Sequence, residues 1–124
     1  ENGHHPEPEP EPWLQLKPLC RDVKLHMNES GKQRVSYWGT RWKQVDWVFV
    51  DHPCYLRQGS PYGDGDAFID NAFRFSLLSL AALEMPLQWW SKVEGRDTSK
   101  DAVLFLANDW HAAMVAVYLA CKFR

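Results

Sequence analysis

Four consecutive residues near the C-terminal end, Asn108-Asp109-Trp110-His111, bring an amide, a carboxylate, an indole and an imidazole together. Such groups hydrogen-bond hydroxyls and stack on flat apolar surfaces. His111 is the candidate for chemistry: an imidazole in the first turn of a helix can hydrogen-bond a ligand hydroxyl or a carbonyl beside a reacting carbon. A half-buried structural histidine is the alternative. Asp109 stands where a carboxylate caps a helix by accepting its orphan N–H groups; direct ligand contact is its second possible role. Three further candidates lie upstream. His52 precedes Pro53, which pins it in an extended conformation and makes a structural turn the better reading of that residue by itself. Tyr62 and Asp64 lie in Pro61-Tyr62-Gly63-Asp64, where Tyr62, like Trp89-Trp90 further on, can stack on a ligand ring or pack.

These residues need elements to hold them. Val45-Asp46-Trp47-Val48-Phe49-Val50 is apolar at nearly every position and predicts a strand buried on both faces. Arg34-Val35-Ser36-Tyr37-Trp38 is β-prone, with a hairpin-like connection between the two around Gly39 to Gln44. Order is expected to begin near Val23. Residues 51–67, rich in Gly, Pro and Asp, predict a long loop, the kind that is functional or mobile in a compact domain. A helix is predicted over about 69–84, with Asp66 or Asp70 near its start and Pro86 just beyond its end. Its apolar stripe, Phe68, Ala72, Phe75 and Ser79, is widened by Phe73, Leu77, Leu80 and Ala81, as in a well-buried crossover helix. Ala102-Val103-Leu104-Phe105-Leu106 predicts a buried strand, and about 111–122 a final helix.

The strand–helix–strand order predicts a right-handed parallel βαβ unit and hence an α/β, Rossmann-like sheet. Parallel strands place their carboxyl ends on one edge, so the segments after Val50 and Leu106 would face one crevice together with the Tyr62 loop.

Bulk properties narrow the classes. A formal charge of −2, with Lys and Arg spread evenly, leaves no electrostatic footprint for nucleic acid. No apolar run approaches the about 18 residues that span a bilayer, so no membrane role is expected. Three cysteines without a Cys-x-x-Cys pair argue for a reducing compartment and against a structural zinc site. No basic-then-apolar leader opens the sequence, so a targeting peptide is expected to have been removed or never included. Residues 1–19, with Pro-Glu-Pro-Glu-Pro-Glu-Pro at positions 6–12, predict an extended, solvated tail; residues 20–124 are the folded part. No Gly-rich phosphate loop and no carboxylate pair with a glycosidase spacing occurs.

One resemblance goes further. Val45-Asp46-Trp47-Val48-Phe49-Val50-Asp51-His52-Pro53, Pro61-Tyr62-Gly63-Asp64, Asp70-Asn71-Ala72-Phe73-Arg74-Phe75 and Phe105-Leu106-Ala107-Asn108-Asp109-Trp110-His111-Ala112-Ala113 occur in the order and near the spacing of the starch and glycogen synthases. The wording is closest to plant and algal soluble starch synthases. The resemblance implies a GT-B glycosyltransferase of two Rossmann-like domains with the active site between them, this chain supplying part of the N-terminal one. It implies retaining transfer of glucose from ADP-glucose to the non-reducing end of an α-1,4-glucan in a plastid, with no cofactor and no obligatory metal. His111 would lie beside the transferred glucose, with Asn108, Asp109, Tyr62, Asp64 and His52 around the substrates. That family's Lys-Thr-Gly-Gly-Leu donor loop is not found in these 124 residues, nor is its second domain. ADP-glucose would thus be held largely by other segments, and the chain alone is expected to be inactive. A truncated, non-catalytic paralogue serving as a glucan-binding or interaction module is the alternative reading.

Overall fold

The computed structural model describes residues 11, 15–28, 30–97 and 103–123, and the backbone but not the side chain of Asp64. Most of the Pro-Glu tail lies outside the described residues. Order nonetheless begins before Val23, because strand β1 runs from Lys17 to Met27 and takes in the last residues assigned to the tail. β2, Gly31–Trp42, pairs antiparallel with β1 and with β3, Val45–Asp51, giving a meander of order β1-β2-β3. The expected β2–β3 hairpin is present, but Gly39 is not its turn. Lys43 and Gln44 make it, both at positive φ (48° and 63°), as a two-residue loop between right-twisted strands requires.

Alternation along β1 and β2 places Val23, Leu25, Met27, Val35 and Tyr37 on one face. Helix α1, Asn71–Met85, lays Leu77, Leu80 and Ala81 against them to complete the core. Tyr37 is wholly buried, and its hydroxyl donates to the Ala81 carbonyl at 2.8 Å, tying sheet to helix. Burial pushes its phenol well above the usual tyrosine range. Pro86 caps α1 and opens a π-helical turn, Pro86–Ser91. A second helix, α2 (Met114–Cys121), packs along α1 and buries Val115.

Several expectations are corrected. Among the described residues no parallel βαβ unit forms: the sheet is antiparallel throughout, and residues 103–108 have no strand structure. β3 is therefore an edge strand with Val45, Trp47 and Phe49 exposed, not a strand buried on both faces. The physical reason is that an unbroken apolar run states a preference for burial without naming the partner that provides it. α1 likewise is no uniformly apolar crossover: Ala72 is exposed, while Asn71 and Arg74 are buried.

Candidate functional site

The start of α1 organises the site. Asp70 stands at its N-cap position but makes no side-chain cap bond; its carboxylate pairs with Arg57 instead. The first turn is held by a different pair. Arg74 is only 3% exposed, and its guanidinium donates to the Cys54 carbonyl at 3.1 Å, the Pro61 carbonyl at 2.9 Å and Asn71 Oδ1 at 2.7 Å. The rings of Tyr55, Phe68 and Phe75 surround it with centroids 5.4–6.0 Å away, within cation–π range. Asn71 Nδ2 donates at 2.8 Å to the Tyr62 carbonyl, which also accepts the Phe68 N–H at 3.2 Å. Tyr55 closes the circuit by donating its hydroxyl to the Arg74 carbonyl at 2.8 Å.

The effect is a clamp. Two stretches of the long loop, 52–57 and 61–62, are fastened to α1 through their backbone carbonyls, which accept from Arg74 and Asn71. Between Tyr62 and the helix the chain doubles back through a minimal ribbon, Gly63–Asp64 against Asp66–Ala67 (β4 and β5). Gly63 is required there, since a Cβ would lie 2.0 Å from the Asp66 carbonyl oxygen.

Tyr62, thus anchored, meets His111. Their ring centroids are 4.5 Å apart at 32°, with Trp110 on His111 at 4.0 Å and 37°, and the edge of Phe75 at 4.8 Å and 83°. His111 is half-buried within this cluster, while Trp110 and Tyr62 are 58% and 51% exposed. A histidine thus packs against two aromatic rings whose residues are about half exposed. Trp110-His111-Ala112 form one 3-10 turn leading into α2, so the helix expected from His111 begins in earnest only at Met114. Asp109 caps that turn: its Oδ1 accepts the Trp110 N–H at 2.6 Å. It does so at φ 62° and ψ 179°, a region nearly reserved for glycine and held only where the surroundings enforce it.

The other candidates lie elsewhere or further out. His52 caps the short turn Pro53–Tyr55, its Nδ1 accepting the Cys54 N–H at 3.2 Å, and its ring packs near Tyr55 and Phe73 rather than among the His111 rings. Burial lowers its pKa, against an opposing pull from Asp51. Asn108 is exposed on the segment leading to the Trp110 turn. Asp64 pairs its backbone with Asp66 in the ribbon. Arg74 and Asn71 hold the loop in place, a role the sequence reading did not give them although both stand in the Asp70–Phe75 stretch. Their signal was there: polar residues three apart on the face of a helix otherwise rich in Ala, Phe and Leu.

The comparisons with known proteins agree on a family. Residues 4–124 match the family model for the "Starch synthase catalytic domain". The chain is 53% identical over 93 residues to soluble starch synthase 1, chloroplastic/amyloplastic, of Solanum tuberosum, an overlap of 74% of this chain and 14% of the relative. It is 50% identical over 95 residues to starch synthase 1, chloroplastic/amyloplastic, of Arabidopsis thaliana, covering 76% of this chain and 14% of the relative. Granule-bound starch synthase 1 of Solanum tuberosum is 42% identical over 95 residues, 64% of this chain and 15% of the relative. The chain belongs to the starch synthase catalytic domain family and spans about one seventh of the length of these relatives.

Proposed function

We propose that this member of the starch synthase family forms the glucose-facing corner of a glucosyltransferase active site. The reaction is transfer of glucose from ADP-glucose to the non-reducing end of an α-1,4-glucan, without a further cofactor. In this reading the chain is part of the N-terminal domain of a GT-B enzyme, and the donor is held largely by segments outside these residues. The plastid is the proposed location, as in the names of the relatives.

The observation that carries the reading is His111 clasped by Tyr62, Trp110 and Phe75, with the first two rings half open to solvent. Aromatic faces take the apolar side of a sugar ring, and an imidazole fixed among them can hydrogen-bond a hydroxyl next to the reacting carbon. Asn108 and Asp109 border the cluster and are proposed to contact substrate hydroxyls, Asp109 while also capping the turn. Asp64 is proposed to belong to the same substrate-binding set. His52 is assigned a supporting place in the loop that the Arg74 clamp holds.

The test is His111→Ala in the full-length protein that contains this chain, assayed by incorporation of labelled glucose from ADP-glucose into glycogen. Activity is expected to fall at least on the order of a hundredfold, as when a positioned active-site group is lost. Near-normal turnover sinks the assignment. The 124-residue chain alone is expected to incorporate no label, and incorporation by the pure chain would overturn the division of the donor site proposed here.

A further inference from the structure

The inner face of the sheet extends beyond the part that α1 covers. Past Tyr37, the same face of β2 carries Gly39 and then Arg41, which stands opposite Asp46 of β3 and pairs with it at 3.4 Å. Across from this ledge is the π-helical turn Pro86–Ser91. Such wide turns are rare and recur at functional sites. This one fixes Trp89 in place, its carbonyl accepting the N–H groups of Val93 and Glu94, each at 3.0 Å. Between ledge and turn lies a cleft of about 310 Å³, at the lower end of the size of small-ligand sites. Trp89, Gly39, Thr40, Arg41, Asp46 and Lys17 line it. None of them belongs to the His111 cluster or the Arg74 clamp.

The chemistry of the lining selects a ligand. A pyranose ring presents axial C–H groups on one face and hydroxyls around its rim. The Trp89 indole suits the face, and Asp46, Arg41 and Lys17 supply acceptors and donors for the rim. Because Arg41 is already paired with Asp46, the rim is a mixed set of hydrogen-bonding groups and not a cationic pocket. That favours a neutral polyhydroxylated ring over a phosphate. Leu19, which also lines the cleft, packs over Gly39, where a Cβ would come within 2.6 Å of Leu19 Cδ1 and 3.1 Å of the Trp47 carbonyl oxygen.

We propose that this cleft is a second carbohydrate site, apart from His111, which seats one hexose of an α-1,4-glucan against Trp89. The choice of glucan rests on the transferase reading above; the cleft and its preference for a neutral sugar do not. The experiment is titration of maltoheptaose into the 124-residue chain, followed by the backbone and indole N–H resonances in NMR. Shifts are expected at Trp89, Thr40 and Arg41, and Trp89→Leu is expected to weaken binding about tenfold. Asp46→Asn, at an exposed edge where folding is not at stake, is expected to weaken it about threefold. Shifts confined to Tyr62 and His111, with Trp89→Leu binding as before, overturn the inference and leave the transferase reading intact. So does saturation of the cleft by inorganic phosphate or ADP at lower concentration than maltoheptaose, or the absence of any shift. Conversely, Trp89-dependent binding in a chain whose full-length parent transfers no glucose from ADP-glucose would retain the cleft and remove the transferase.

Discussion

Two regions of this molecule treat polarity in opposite ways. Around the start of α1, a guanidinium and an amide are buried, with each of their contacts directed to a particular oxygen: Cys54, Pro61 and Tyr62 carbonyls, and Asn71 Oδ1. At β3 and residues 103–108, apolar side chains face outward: Val45, Trp47 and Phe49 on the edge strand, Leu104 and Leu106 at 84% and 91% exposure. The first region is the more fully specified. A hydrogen bond names its partner by distance and angle, and leaving either member buried and unmet is costly. An apolar side chain is satisfied by any neighbour of suitable shape, so a pattern of them does not choose among neighbours.

The most direct way to break this contrast is to remove the clamp. Arg74→Leu retains bulk and apolar contact but leaves the Cys54 and Pro61 carbonyls without their donor. It is expected to destabilise the chain by about 3 kcal/mol, measured by urea denaturation. Arg74→Lys keeps the charge but not the fork, and is expected to recover less than half of that. The His111 environment should loosen in both, seen as loss of the ring-current shifts that Tyr62 and Trp110 impose on the imidazole. A Leu variant within about 0.5 kcal/mol of the parent would mean that the loop is held by its aromatic packing alone.

This contrast also explains what could be read from the chain. The β2–β3 hairpin was legible because it is local: two β-prone runs with polar residues between them leave few alternatives. α1 was legible to within two residues, from its periodicity and Pro86. The all-antiparallel sheet was not: a parallel unit was expected there, because Val45–Val50 and Ala102–Leu106 declare only that they are apolar, and pairing is settled by topology over distance. Within the site, Asn108 to His111 stood out by residue type, and Asp109 was visible as a cap because capping is a local matter. The grouping of Tyr62 with His111 depends on Arg74 and Asn71. Their role was hidden since an arginine in sequence is, by default, a solvated one.

A gentler perturbation titrates the clamp rather than deleting it. His52 holds the turn at Pro53–Tyr55 through an Nδ1 that must be unprotonated to accept the Cys54 N–H. Burial lowers its pKa, so the unfolded chain binds the proton first, near the ordinary value of about 6.5. The stability tied to neutral His52 is thus present in full above about pH 6.5 and is lost as pH falls from there through the lower folded value. His52→Asn keeps a side-chain acceptor at the cap and does not titrate. Thermal unfolding of the two proteins should run parallel from pH 8 to 7 and separate below about 6.5, the parent losing stability faster. A parent that gains on the variant as pH falls would show the imidazolium to be the favoured form and overturn this placement of His52.

The smallest effect is expected where the apolar residues face outward, and it sharpens the comparison most. Leu106→Ala and Leu77→Ala delete the same atoms. Leu77 is wholly buried in the core beside Tyr37, and its truncation should cost about 3 kcal/mol through lost transfer energy and the cavity left behind. Leu106 lies almost wholly in solvent, and its truncation should change the unfolding free energy by less than about 0.5 kcal/mol. Urea denaturation of both variants measures the difference on one scale. A loss above about 1 kcal/mol at Leu106 would show that residues 103–108 are packed in solution. The free edges of β1 and β3 would then be the places able to receive them, and the distinction between a specified region and an unspecified one would collapse. With no loss at Leu106, the apolar run Val103–Leu106 carries no stability of its own in this chain. Its sequence would be explained only by a neighbour that these contacts do not include.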